Sequence, residues 1–223
     1  MPLTAEFVVR RSFIKGVAVV LLTIVGSVFF AAAVVLAAAH LQELKARRCW
    51  AKVSELGLGR ATLQDARSIS DRFGGTDSRT VGRPCTAEFC DFTFAFENRW
   101  LSRTHLAPYA GVTIEMVVSK GRLISRGLAY TVAAANASYA VGEHLPSPGS
   151  SRFRVITNTD LYGAPNKVSI ELTTEASRQE LERAYSIDWS CLASIRGCQD
   201  RYKVFPLLNE IQKEGRAQPN LND

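Results

Sequence analysis

The chain has 223 residues, 47% of them hydrophobic, and a formal charge of +6. That is enough material for one ordinary domain with its own core besides an anchor. From His40 onward 24 Lys and Arg stand against 20 Asp and Glu, with no basic run longer than Arg47-Arg48. So diffuse an excess excludes a nucleic-acid interface and fits a solvated surface that favours anionic headgroups or polymers.

Residues 1–15 carry Arg10, Arg11 and Lys15 and form a short N-terminal flank. Gly16 to Ala39 contains no charged residue. As a helix it reaches about 36 Å, more than a hydrocarbon core needs. Its thirteen Val, Leu, Ile and Phe residues contribute on the order of −5 kcal/mol to insertion. The expectation is a transmembrane helix over 16–39, and hence a membrane as partner. The alternative is a cleaved signal peptide, since a basic flank precedes the stretch and Ala37-Ala38-Ala39 offers an A-x-A site, although the apolar run exceeds the usual 7–15 residues. Basic residues flank both ends, so charge alone does not orient the span. Thr23, Ser27 and Ala31 follow small-xxx-small spacing, a pattern that supports helix pairing; oligomeric state stays open.

The five cysteines all follow the anchor. Cys85 with Cys90 and Cys191 with Cys198 have the spacing of two local disulfides, which calls for an oxidising space outside the cytoplasm. This orients the chain N-in, with location in a bacterial inner (plasma) membrane, or a secreted or periplasmic location if cleavage occurs near Ala39. A zinc reading fails on spacing, because His40, His105 and His144 lie away from both pairs. Cys49 is left over, either free or bridging two chains.

Residues 40–57 continue as a juxtamembrane helix with a Glu43/Arg47 pair, ending at Gly57. Residues 58–214 are expected to form an exported α+β domain of antiparallel sheet with short helices packed on it. Thr62 to Asp65 opens a helix with Leu63, Ala66, Ile69 and Phe73 on one face, closed by Gly74-Gly75. Glu88 to Asn98 alternates, sending Cys90, Phe92, Phe94 and Phe96 to one side. Trp100 to Leu106 is read as its partner strand. Gly111–Ser119 and Arg122–Val132 form a hairpin across Lys120-Gly121, in which a simple two-residue register sets Glu115 opposite Arg126. Residues 133–150 read as a long loop. Strands around Phe153–Thr157 and Val168–Leu172 follow, joined by a turn at Asp160 to Asn166. A capped helix starts at Ser177, a further helix holds Cys191, Leu192 and Ile195 and stops at Gly197, and Pro206 starts a last one with Leu207, Leu208 and Ile211. Residues 215–223 read as a flexible tail.

The segments LGLGRATLQDARSISDRFGG and DWSCLASIRGCQDRYKVFPLL together resemble bacterial single-pass membrane-anchored or exported proteins that carry no assigned activity. The first, with its Gly59-Arg60-Ala61-Thr62 turn and Phe73-Gly74-Gly75 end, is also similar to the opening helix of small outer-membrane assembly lipoproteins. Neither resemblance carries a functional residue over.

No nucleophile elbow, zinc-protease helix or P-loop sequence occurs, and no catalytic, cofactor-binding or metal residue is assigned. A Cys85 or Cys90 dyad with His105 needs a thiol that the disulfide removes. Carboxylate pairs at Glu88/Asp91 and Glu180/Glu182 read as solvated surface, and Asn136-Ala137-Ser138 is a sequon relevant only to a eukaryotic secretory route. Function is therefore expected in binding or assembly with an envelope protein partner. The alternative is a hydrolase of an envelope polymer, with Glu143 of the 133–150 region in its site.

Overall fold

The structure, a computed structural model, describes residues 3–78, 85–86, 88–147, 152–159, 165–195, 198–208 and 210. The chain divides into two compact units, Met1–Ala38 and Ala39–Asp223. The first helix, α1, runs Leu3–Glu55 and enters both.

In the first unit the apolar side chains from Val17 onward are uncovered, with Phe29 72% and Phe30 73% exposed. The helix holds an 18-residue window of mean hydropathy 2.8, none of it buried by the chain. A helix apolar on every side and unburied is long enough to cross a membrane or to serve as a signal sequence. The Thr23 and Ser27 hydroxyls donate to the Val19 and Thr23 carbonyls at 2.8 Å each, so their polar groups are satisfied within the helix.

The second unit is an α+β sandwich of one sheet and one helical layer. Seven strands are ordered β1-β2-β3-β4-β5-β7-β6: β1 Thr76–Ser78, β2 Phe89–Glu97, β3 Ala110–Ser119, β4 Arg122–Val132, β5 Ala137–His144, β6 Phe153–Thr159 and β7 Pro165–Thr173. Period-two alternation gives the sheet its apolar face: Phe92, Phe94 and Phe96 on β2, Ile114 and Met116 on β3, Leu128 and Tyr130 on β4, Ile170 and Leu172 on β7, all 3% exposed or less.

The helices close over this face. From α1 come Ala46, Cys49 and Val53, fully buried at helical spacing. Helix α2 (Leu63–Phe73) adds Ala66, Ile69 and Phe73; it opens on a capping box between Thr62 and Asp65 and ends at Gly74, whose φ of 73° is left-handed. Helix α4 (Arg178–Ala184) opens on a second capping box, Ser177 with Glu180. A 3-10 turn at Trp189–Leu192, helix α5 (Arg201–Val204) and helical residues 206–208 complete the layer. Phe205 is the keystone of this end, stacked on Tyr139 at 4.8 Å and edge-on to Tyr130 at 5.6 Å. Both buried phenols are satisfied, Tyr130 donating to the Asp188 carbonyl and Tyr139 to that of Ala184.

Three expectations are corrected, while the expected antiparallel sheet is present with a single parallel pairing. Trp100 to Leu106 is not a strand: Arg99–Arg103 forms the short helix α3, and Asn98 at its head turns its amide to the Pro108 carbonyl and the Ala110 N–H. Residues 133–144 are not loop, because Ala133–Ala135 makes a 3-10 turn, Asn136 supplies a left-handed residue, and β5 follows with Tyr139 and Val141 inward; 148–150 lie outside the described residues. The parallel pairing joins β5 to β7. In the β3–β4 hairpin, Lys120 and Gly121 take positive φ of 52° and 74° as a two-residue turn requires, but a bulge between Val117 and Val118 shifts the register by one. Glu115 therefore faces Gly127, and Arg126 faces Met116. The centre of the Asp160–Asn166 turn, the stop at Gly197, Ile211 and the tail from Gly215 lie outside the described residues.

Candidate functional site

Among the described residues, nothing covers the outer face of the sheet. Strand alternation that sends Leu128, Tyr130, Tyr139 and Val141 inward sends Gly127, Ala129, Ala140 and Gly142 outward, so the middle of this face is floored by the smallest side chains in the chain. Taller residues rise on either side: Glu115 and Val117 on β3, Ser169 and Glu171 on β7, His144 at the end of β5. Together they enclose a shallow trench of about 410 Å³. Across one row the register reads Thr93, Glu115, Gly127, Gly142, Glu171, Arg154. Two carboxylates thus flank a glycine pair, their Cα atoms three strand spacings or about 14 Å apart.

The two glycines differ in kind. A Cβ at Gly127 would lie 3.0 Å from the Val141 carbonyl oxygen, so close approach of β5 requires glycine there. At Gly142 a Cβ would meet nothing within 4 Å; the space above it belongs to the trench.

Desolvation by the neighbouring strands raises the Glu115 pKa, and the Asp91 carboxylate adds to the effect. Glu171 has Arg154 as its partner at 4.0 Å, an exposed and loose pair. Ser125 and His144 are register partners on β4 and β5, but no hydrogen bond joins them, and a nucleophile needs that contact to its base. The lining suits recognition of a ligand by shape and charge better than attack upon it.

Residues expected to carry chemistry are committed elsewhere. Glu143 is 4% exposed on the covered face. Its carboxylate accepts from Arg126 Nε at 2.9 Å and Nη2 at 2.7 Å, and this overturns Glu143 as a hydrolytic group in a loop. Arg126 Nη1 also donates to the carbonyls of Val53, Ser54 and Leu56, capping the C-terminal end of α1. Tyr185, its ring tilted against Trp50 at 4.6 Å, packs in the same cluster with its hydroxyl buried and unbonded.

Disulfides join Cys85 to Cys90 and Cys191 to Cys198, with Cα atoms 4.6 and 5.5 Å apart. Asp188 lies near the second pair, but its sulfurs are bonded to each other and offer no thiolate to a metal. His105 lies past the far end of β2 from Cys90, so the proposed dyad does not assemble. Cys49 is free and buried in the chain's own core; burial pushes its thiol up to about 12, with Lys45 acting the other way. Glu180 accepts from Arg152 and caps α4, while Glu182 pairs with Arg178. Glu88 is exposed at the head of β2, and Asp91 sits on that strand's outer row.

The trench residues Gly127, Ala140, Gly142 and Ser169 are absent from the sequence-level candidates. The signal was present in the alternation of small residues opposite Leu128, Tyr130, Tyr139 and Val141, but the bulge at the hairpin and the loop reading of 133–150 hid it. Comparison with protein-family models, curated proteins and solved structures returns no match.

Proposed function

We propose that the protein is a single-pass membrane protein, anchored by residues 16–39, whose extracytoplasmic domain binds an envelope partner through the open face of its sheet. The observation that carries this reading is the asymmetry of the sheet. One face is sealed by helices, while the other holds a trench floored by glycine and alanine and walled by carboxylates. The helix that continues unbroken through Ala37–Ala39 into the buried residues of α1 favours a retained anchor over a cleaved leader. Disulfides favour the oxidising side of the membrane.

Two measurements test it. Alkylation in intact cells gives the compartment: four cysteines are expected to label only after reduction, and Cys49 only on unfolding. Free labelling of Cys85, Cys90, Cys191 and Cys198 without reductant refutes the export. A photo-cross-linker at Ser169 tests the binding face, with Gly142→Leu as the blocked control, since that side chain grows into open trench. An adduct of unchanged yield in Gly142→Leu removes the trench from the function.

A further inference from the structure

The end of the second unit at which α1 enters carries an aromatic and basic surface of its own. Helix α1 lies antiparallel to β4: Arg126 reaches the carbonyls of Val53 to Leu56, and Glu43 and Arg47 act on the buried Tyr130 hydroxyl. From Val53 back to Ala39 the helix covers about 21 Å. From Arg126 on to Val132 the strand covers about 20 Å. Ala39, itself buried, is therefore level with the end of the sheet where Val132 faces Ala110.

That same end carries α3 and the loop after it. The Ala133 N–H donates to the Tyr109 carbonyl at 2.9 Å, and buried Asn98 ties Pro108 to Ala110, so the loop is fixed to the sheet. Trp100, 62% exposed, stands out from α3 and Leu106, 40%, from the fixed loop, while Tyr109, 37%, lays its ring beside Gly111 toward Glu97. Arg99 and Arg103 flank Trp100 on α3 and are exposed, Arg99 sharing its charge with Glu97 at 3.0 Å.

We propose that the Arg99–Tyr109 segment is a lipid-contact surface, seating Trp100 and Leu106 at the headgroup level of an anionic bilayer. The inference rests on the anchor reading above, because it is the chain's passage into lipid before Ala39 that brings this end to the membrane. Tryptophan and tyrosine favour that depth, since each has an apolar ring and one polar tip. Arginine lays its stem along apolar surface while its guanidinium meets phosphate. An indole held out on a short helix tied to the sheet costs little ordering when it inserts.

The test is full-length protein in phosphatidylcholine vesicles with about a third phosphatidylglycerol, with and without brominated acyl chains. Trp100 is one of three tryptophans, so bromine is expected to remove roughly a third of the emission, as an interfacial ring requires. The quench should vanish in Trp100→Phe. It should stay absent in Trp100→Phe/Phe89→Trp, which moves the ring to the other end of β2, about 27 Å away. Vesicle flotation at alkaline pH is read on the same samples. Protein that floats but shows no Trp100 quenching overturns this proposal and leaves the anchor standing, and that result would turn the patch toward a protein partner. Protein that fails to float overturns the anchor and the contact together.

Discussion

Replacing Arg126 by methionine removes two things at once. The Glu143 carboxylate, with a side chain 6% exposed, loses its guanidinium partner, and the carbonyls of Val53, Ser54 and Leu56 lose their common donor. Breaking one side of a buried pair costs about 3–5 kcal/mol. In a chain of this size that lowers the melting temperature by about 10–15 °C. The double variant Arg126→Met/Glu143→Leu removes the stranded charge and recovers part of the loss. About 2 kcal/mol is expected to remain, because the helix end stays uncapped and its half-buried carbonyls stay unsatisfied. Glu143→Leu alone costs less than Arg126→Met, since Arg126 keeps its three carbonyls. Thermal unfolding of full-length protein in mild detergent, followed by circular dichroism, gives all three differences. An Arg126→Met variant within 1 kcal/mol of the parent, or a double variant equal to it, would refute the capping argument.

Cys191→Ser/Cys198→Ser opens a short loop and is expected to cost about 2 kcal/mol, measured in the same melts. Gly75→Ala would set a Cβ 2.6 Å from the buried Phe94 ring and 2.7 Å from Ser70 Oγ, an overpacking loss of about 1–3 kcal/mol, whereas Gly142→Ala should melt within about 0.5 kcal/mol of the parent. Tyr185→Phe deletes a buried hydroxyl without a partner, so it should melt at the same or a higher temperature. Hydrogen bonds from Arg152, then from the Ser177 backbone and hydroxyl, hold Glu180 at about 2. Because that folded value lies below the ordinary 4.5, its ionisation favours the fold above about pH 4.5 and the contribution fades as pH falls toward 2. Arg152→Gln should return the Glu180 titration, followed by carboxyl-carbon NMR, toward its ordinary value; an unmoved titration would show that the pair does not form.

What could be read from the residues alone was whatever rests on local chemistry. The capping boxes at Thr62 and Ser177, the Phe-rich face of β2 and the helix face of Ala66, Ile69 and Phe73 all depend on neighbours within a few positions. The errors fall where distant parts decide. Tyr139 and Val141 have ordinary alternation, but Gly142, Pro146 and Pro148 in the surrounding stretch read as loop, and only pairing with β4 and β7 makes it a strand. Arg126 looked like a surface partner for Glu115 because a bulge of one residue is invisible in the sequence and reverses which face each side chain joins. The trench was hidden for the same reason, since its floor and walls come from four strands brought side by side.

The core unites Ala46, Cys49 and Val53, near the start of the second unit, with Phe205, Leu207 and Leu208 near its end. Strand β7 adds a second constraint, because β5 gains its outer neighbour only after β6 has been made and passed over. During synthesis the α1 segment must therefore wait, its apolar stripe uncovered, until nearly all of the polypeptide has been produced. If the domain is exported as proposed, a chain built this way crosses a translocation channel unfolded and closes only on the far side, where its sulfurs can then be joined.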